Sequence, residues 1–428
     1  QPTPRRLTIY DSADGPVIAR KADHVYAAKL AYADEVQFVE VFYEFNFARD
    51  IRGIQRGLAL DQIMPQNVMA ADTRGNIFYM RAGRVPIRPP GFNFFRPVDG
   101  STAKTAWRGI HPARDLYQVL NPPQGYMQNC NIPPDVMMVG SPMTPERKPA
   151  YLFGERPGWL HQRAARAVEI LSQATVMTPE RALATALDST CYGYDRWVAA
   201  LRAADKQFGA DWRQAADYQA ALQQIADWNG RAAADSFAAL KFYYWRQAVN
   251  QILGNRPASE LAAKINDYMA VERRGRTAAE PLTEAEQRGL VAGLARGMAA
   301  LRRQHGRLDV RYGEVFRVGR DDRSWPVGGG SLTDEGMATL RAVHFGPERP
   351  DHTRWGGGGQ TSTQVVLLTR PIRSWTQPPI GQSDHPDSPF YRDQAEKLFS
   401  PGRMKPTWYT QPELLAHVFS REELHPPF

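Results

Sequence analysis

Apolar and polar positions change their spacing several times along the chain. Near the start, residues 7–9 and 17–19 read as short strands around the turn signal Asp11-Ser12-Ala13-Asp14-Gly15-Pro16. Over residues 27–56 apolar and aromatic side chains recur at mixed helical spacing, densest at Phe42, Phe45 and Phe47, which predicts short helices under a core. Val68-Met69-Ala70-Ala71-Asp72 and Ile77-Phe78-Tyr79-Met80-Arg81 flank Arg74-Gly75-Asn76, a strand, tight turn and strand with Gly at the turn. Residues 86–160 are rich in Pro, Gly, Asn and aromatics and show little period, so they read as long loops that wrap a core or carry function.

From residue 161 to about residue 300 the chain turns Ala-, Leu-, Gln- and Arg-rich and predicts an all-helical block without a fixed-period repeat. Thr178-Pro179-Glu180 supplies a Thr N-cap with Pro at the first helical position. Leu282-Thr283-Glu284-Ala285-Glu286 repeats the Thr cap with an acidic first turn. Strand signals return at Glu314-Val315-Phe316-Arg317-Val318 and Gln364-Val365-Val366-Leu367-Leu368, separated by Gly328-Gly329-Gly330 and Gly356-Gly357-Gly358-Gly359. The order of sheet, loops, helices and sheet suits one α+β core into which helices are inserted.

Composition narrows the class. The 428 residues are 43% hydrophobic and 23% charged, enough to bury a sizeable core. A mean hydropathy of −0.49 and the lack of any long uncharged apolar run exclude a membrane-spanning helix. Lys plus Arg total 53 against 45 Asp plus Glu, a formal +8. The basic residues, mostly Arg, are scattered, so no nucleic-acid partner is expected. The chain has 2 cysteines, which excludes a disulfide framework and a metal-type cysteine pair. Residue 1 is Gln and nothing near it resembles a signal peptide, so the sequence reads as a processed or truncated chain.

Most motifs that could carry chemistry are missing. Neither glycine run is followed by Lys-Ser/Thr or a helix start, so both read as turns with close backbone approach rather than phosphate cradles. The histidines show no pair at metal-ligand spacing, and Asp384-His385-Pro386 reads as a surface turn. No Gly-x-Ser-x-Gly elbow occurs, and Cys130 and Cys191 read as structural thiols. The segment from Asn121-Pro122 through Gly125-Tyr126 to Asn129-Cys130-Asn131 is different. If extended, it places the amides of Asn129 and Asn131 on one side. A side-chain amide held by a rigid loop can donate to an oxyanion. The competing reading is that such Asn side chains bond their own backbone in turns.

The chain resembles the β-subunit of the penicillin acylase family of N-terminal nucleophile hydrolases. That family includes penicillin and cephalosporin acylases, acyl-homoserine lactone acylases and echinocandin-type deacylases. The matching elements run in family order: Asp14-Gly15-Pro16; Asp72 with Gly75-Asn76-Ile77; the Asn121-to-Asn131 segment; and Arg163 opening a helix through Ile170-Leu171. They continue with Leu222, Trp228-Asn229-Gly230 and Asp235-Ser236; Tyr312-Gly313 and Pro326-Val327-Gly328-Gly329; and Gly359 and Ser362. The most specific is the tail, Gly381-Gln382-Ser383 with Ser388-Pro389-Phe390-Tyr391 and Asp393-Gln394.

The resemblance implies part of a four-layer αββα sandwich with an inserted helical region. Residues 1–95 would form the first sheet and helix segment, and 96–164 a loop-rich segment carrying the oxyanion Asn. Residues 165–310 would be the helical insertion, and 311–428 the returning sheet and C-terminal tail. It implies amide hydrolysis of an N-acyl compound, such as a β-lactam, an N-acyl-homoserine lactone or a lipopeptide. By motif match Asn131 would hold the oxyanion, Arg163 would orient it, and Asn129 would support it at the substrate. The family's nucleophile is an N-terminal Ser whose own α-amine is the base. Gln1 cannot take that role, so a companion chain from the same precursor would supply the Ser and this chain would be a nicked or fragmentary piece. No cofactor is expected. The calcium ion of some family members finds no obvious ligands beyond Asp135, Glu146 and Glu155. The resemblance also implies a periplasmic or secreted location. The alternative from another class is a non-catalytic relative that binds an acylated ligand or partner.

Overall fold

Strands β1 (Asp11–Ser12), β2 (Gly15–Lys21) and β3 (His24–Ala27) form an antiparallel meander. The expected turn is itself paired, Asp11 against Pro16 and Ser12 against Gly15. Residues 17–19 fall within β2, whereas Ile9 belongs to no strand. The computed structural model describes residues 8–268, 280–423 and 425, so Gln1 and Leu7 lie outside the described residues. The chain forms two compact units, Gln1–Val136 with Gly140–Trp159, and Met137–Val139 with Leu160–Phe428.

In the first unit, α1 (Phe38–Phe47) and α2 (Ile51–Leu58) follow the meander. Asp50 caps α2 by accepting from the Gly53 N–H at 3.2 Å, and Ile51 and Leu58 are buried beneath it. The aromatic helix departs from expectation. Only Val41 of α1 is buried, while Phe38, Phe42, Tyr43 and Phe47 are exposed and pack edge to edge or tilted against one another. Within this chain the aromatic face of α1 is therefore exposed rather than packed beneath its neighbours. Strands β4 (Gln66–Ala71), β5 (Ile77–Ala82) and β6 (Gln118–Leu120) form the second sheet with β5 central. Phe78, Tyr79 and Met80 on β5 are buried, and Gly75 takes φ +86 at the turn. The stretch 86–160 contains, besides β6, only one isolated bridge, Pro86 to Ile110, and single 3₁₀ turns. Side chains pin it: Tyr117 donates its hydroxyl to the Thr144 carbonyl at 3.0 Å, and Lys148 Nζ donates to the Asp115 carbonyl at 2.6 Å.

The second unit opens with helices α3 (Gln162–Gln173), α4 (Pro179–Ala186), α5 (Tyr194–Phe208), α6 (Ala216–Ala226), α7 (Phe237–Leu253), α8 (Asn255–Asn266) and α9 (Glu284–His305). Both expected caps form. Thr178 accepts from the Arg181 N–H at 3.3 Å, and Thr283 and Glu286 make a reciprocal capping box. Helix α7 is the centre of the block. Its Leu240, Phe242, Trp245 and Val249 pack with Trp197 and Leu201 of α5 and with Leu290, Leu294, Met298 and Leu301 of α9. The indole N–H of Trp245 reaches the Leu290 carbonyl at 2.9 Å, so this buried polar atom is satisfied.

Strands follow the helices. Residues Glu314 and Val315 belong to a helical turn, α10 (Tyr312–Val315), and the strand begins one residue later as β7 (Phe316–Arg320). It is followed by β8 (Arg323–Pro326), the short pair β9 (Ser331–Leu332) and β10 (Met337–Ala338), and β11 (Val343–Phe345). Next comes β12 (Arg354–Gly359), and the sheet order is β11-β12-β7-β8, with β12 parallel to β7. The second glycine run therefore lies within a strand, not in a turn. A Cβ on Gly359 would stand 2.3 Å from the Ala342 carbonyl oxygen, the close backbone approach that a glycine permits. Strands β13 (Thr363–Leu367), β14 (Arg373–Gln377) and β15 (Lys405–Thr407) form the last sheet, and α11 (Gln411–Ala416) is the last regular element among the described residues. The tail motif is a tight loop. Gly381 N–H donates to the Tyr391 carbonyl at 3.2 Å, and Tyr391 donates its hydroxyl to Asp321 at 2.7 Å.

Candidate active site

The loop that carries Asn129 and Asn131 is built on the β4–β5–β6 sheet. Asp72, at the end of β4, accepts from the backbone N–H groups of Arg74 at 2.9 Å and Asn76 at 3.1 Å. It also accepts from the Asn76 side-chain amide at 2.9 Å, and these bonds hold its carboxyl below the usual carboxylate range. The hairpin turn is thereby fixed. Asn76 Oδ1 in turn accepts from Asn121 Nδ2 at 2.9 Å, and Asn121 Oδ1 accepts from the Ile77 N–H at 2.9 Å. Asn121 has φ +49, a left-handed backbone that Asn tolerates better than most residues. The start of the candidate loop is thus tied to the hairpin turn through side-chain amides.

At the other end of the loop the expected geometry is corrected. Asn131 is not on an extended stretch: its φ is +65, so Asn129 and Asn131 do not alternate along a strand. Instead Asn129 bends the chain back on itself. Its Oδ1 accepts from the Asn131 backbone N–H at 2.8 Å, and its Nδ2 donates to the Ile132 carbonyl at 3.1 Å. This is the local backbone bonding expected of Asn in turns, and it falls on Asn129. Asn129 is half-buried, whereas Asn131 is exposed at the apex of the turn.

The turn has a buried support. Asn67 of β4 donates from Nδ2 to Asn129 Oδ1 at 3.1 Å, and Tyr79 of β5 donates its hydroxyl to Asn67 Oδ1 at 2.6 Å. Tyr79 is fully buried, and burial raises its hydroxyl above the ordinary phenol range. Asn67 pairs with Arg81 and Met69 with Tyr79, so Asn67 and Tyr79 are diagonal neighbours on one face of the hairpin. Sequence reasoning misses both residues. The one available signal is an Asn inside a strand, where that residue type is depleted.

Arg163 lies in the second unit, at the second residue of α3, and is half-buried. The first turn of α3 holds no acidic residue. A cation at a helix N-terminus opposes the helix dipole by about 0.3–1 kcal/mol. Three residues on, Arg166 is held by Asp188 at 2.9 Å and Glu169 at 2.7 Å, which anchors the helix.

The remaining candidates show no reactive constellation. Cys191 is buried and Cys130 half-buried, and neither is in a disulfide. Asp384 and His385 are exposed on a loop, where Arg320 pairs with Asp384 at 3.0 Å. Asp135 accepts from the Gly158 N–H at 2.8 Å, and burial raises its carboxyl. Among the described residues no group of three or more His, Cys, Asp or Glu side chains is gathered to hold a metal ion. No helix among the described residues is long and apolar enough to cross a membrane.

Comparison with known proteins follows the same line. The family model of penicillin amidase matches residues 1–416. A penicillin acylase 2 proenzyme from Pseudomonas sp. (strain SE83) is 27% identical over 265 residues, which cover 60% of this chain and 31% of the proenzyme. A penicillin G acylase from Escherichia coli is 38% identical over 76 residues, 18% of this chain and 9% of that protein. The chain thus spans less than a third of the length of these curated relatives. The structure of a thermostable penicillin G acylase from Alcaligenes faecalis matches with a TM-score of 0.61 at 19% identity, covering 99% of this chain and 79% of that one. The fold is therefore that of the N-terminal nucleophile hydrolases, α+β as expected. With the family match running through nearly the whole sequence, the chain belongs to the penicillin amidase family.

Proposed function

We propose that this chain is part of an amide hydrolase that removes the acyl group from an N-acyl compound. The nucleophile is an N-terminal serine on a segment outside these 428 residues, a companion chain from the same precursor. The two curated relatives, both penicillin acylases and one of them a proenzyme, support the chemistry. A β-lactam, an N-acyl-homoserine lactone or a lipopeptide each presents the required amide. The periplasmic or secreted location expected from the resemblance goes with this reading, and neither a nucleic acid nor a membrane is needed.

The observation that carries the proposal is the exposed Asn131 at a left-handed apex whose backbone N–H is pinned by Asn129. Attack of a serine oxygen on an amide carbonyl turns the carbonyl oxygen into an oxyanion. A carboxamide N–H can stabilise that charge without itself titrating, and a rigid support makes the donation preorganised. The serine α-amine takes the proton and passes it to the leaving nitrogen. An α-amine suits this because its ordinary pKa is about 7.7–8.0. Asn129 supports the turn, and Arg163 keeps the supporting role that the resemblance gives it.

Replacing Asn131 by Ala in the assembled enzyme is expected to lower kcat by about 10²–10³-fold with little change in KM or melting temperature. Unchanged turnover removes Asn131 from the mechanism. Binding of N-acyl compounds by the unsubstituted assembly without release of a primary amine instead supports the non-catalytic alternative.

A further inference from the structure

Asn129 is locked in orientation by two backbone groups that allow no choice. A backbone N–H only donates, so the atom facing the Asn131 N–H at 2.8 Å is Oδ1. A backbone carbonyl only accepts, so the atom facing the Ile132 oxygen at 3.1 Å is Nδ2. The polarity then propagates backward. The Asn67 atom 3.1 Å from Asn129 Oδ1 must be Nδ2. Asn67 therefore turns Oδ1 toward Tyr79, whose hydroxyl must donate across 2.6 Å. The relay starts on a fully buried phenol and ends on the backbone of Asn131.

From this relay we infer that Asn67 and Tyr79 are positioning residues that set the angle of the Asn131 turn, and through it the direction of the oxyanion donor. The inference rests on the acylase reading of Asn131 and deepens it. The sheet gives the relay its rigidity: Asn67 and Tyr79 stand on paired strands, so the distance between them follows the β4–β5 register. Asn129 Oδ1 accepts from two donors at once, one from the sheet and one from the turn. Removing the sheet donor takes away the hydrogen bond that ties Asn129, and with it the Asn131 N–H, to the β4–β5 hairpin. Small displacements of a catalytic group are costly, up to about a hundredfold in rate for a misplacement of about 1 Å.

The test uses the assembled enzyme, with Asn67→Asp and Tyr79→Phe made singly and each combined with Asn131→Ala. Asn67→Asp keeps the shape but puts an acceptor against Asn129 Oδ1. Tyr79→Phe keeps the packing and removes only the donor. Each single variant is expected to lose about tenfold to a hundredfold in kcat with KM nearly unchanged. In the Asn131→Ala background each should change kcat by no more than about twofold, because the group being positioned is gone. Equal cost in both backgrounds shows a role in the fold alone and overturns the proposal. So does a single-variant effect confined to KM, or none at all. If Asn67→Asp does not assemble, Tyr79→Phe decides by the same comparison. The two ideas fail separately: a harmless Asn131→Ala sinks the acylase role of Asn131, whereas a damaging Asn131→Ala with additive Tyr79→Phe sinks only the relay.

Discussion

Asp61 sits just beyond α2 with φ +55, half-buried near Arg84. Burial pushes its carboxyl up to about 6, against the opposing pull of the Arg84 charge. The folded protein therefore binds the Asp61 proton more tightly than the unfolded chain does. Its contribution to stability is complete below the ordinary carboxyl range and is lost as pH rises through about 6. Asp61→Asn keeps the shape without the titration. Between pH of about 4 and 7 the melting temperature of the wild type should fall relative to that of the variant, and a constant difference contradicts the assignment. Residues of this kind are hard to read from sequence. An Asp after a helix has the same letter whether exposed or half-buried, and a left-handed φ at Asn131 or Asn121 leaves no period to detect. The motif match singles out residue 131, and the role proposed for it rests on that match, but its left-handed backbone was not legible. An amide pair read as alternating along an extended segment is instead a turn in which the Asn129 side chain accepts from the Asn131 backbone N–H.

In the helices the close approach of one element to another sits on regularly spaced residues. Gly289, Gly293 and Gly297 recur every four residues along α9 and so share one face. A Cβ on Gly297 would lie 2.7 Å from the Tyr244 carbonyl oxygen and 2.9 Å from the Trp245 nitrogen, both backbone atoms of α7. At Gly289 the nearest atom is the flexible end of Leu253, at 2.9 Å. Propensity alone favours Ala over Gly inside a helix by about 1 kcal/mol. At Gly297 the clash reverses that sign, because the α7 backbone cannot move without displacing the Trp245 core. Gly297→Ala is expected to destabilise by about 1–3 kcal/mol and Gly289→Ala by less, measured by denaturant unfolding. A Gly297→Ala protein as stable as the wild type contradicts the close packing. The hairpin at Gly75 and the caps at Thr178 and Thr283 were readable because each is local, made by residues within a few positions of one another. What was not readable depends on distant partners. The aromatics of α1 have the composition of a core yet stand exposed, and Gly356 to Gly359 look like a turn until a neighbouring strand is laid beside them.

At the scale of the whole molecule, amide hydrolysis of the proposed kind needs a nucleophile, a base and an oxyanion donor in one place. The proposal assigns the donor to Asn131 and both the nucleophile and the base to a single serine on a companion segment. The aligned residues make up 31% of the Pseudomonas proenzyme, which leaves most of that protein's length outside the match. The 428-residue chain alone is therefore expected to release no primary amine from a panel containing a penicillin-type β-lactam, short- and long-chain N-acyl-homoserine lactones and an acylated peptide. The assembly purified with its companion segment should release amine from at least one of them, and mass spectrometry of that assembly should find a polypeptide whose first residue is Ser. Because the base must be neutral to accept the serine proton, kcat/KM should fall as pH drops below about 7.7–8.0, the ordinary range of an α-amine. Acetylating that amine, which converts it to a non-basic amide, should abolish turnover while leaving substrate binding intact. Hydrolysis by the isolated chain, or an active assembly without an N-terminal serine, breaks the assignment, because either result places the nucleophile where the proposed chemistry does not.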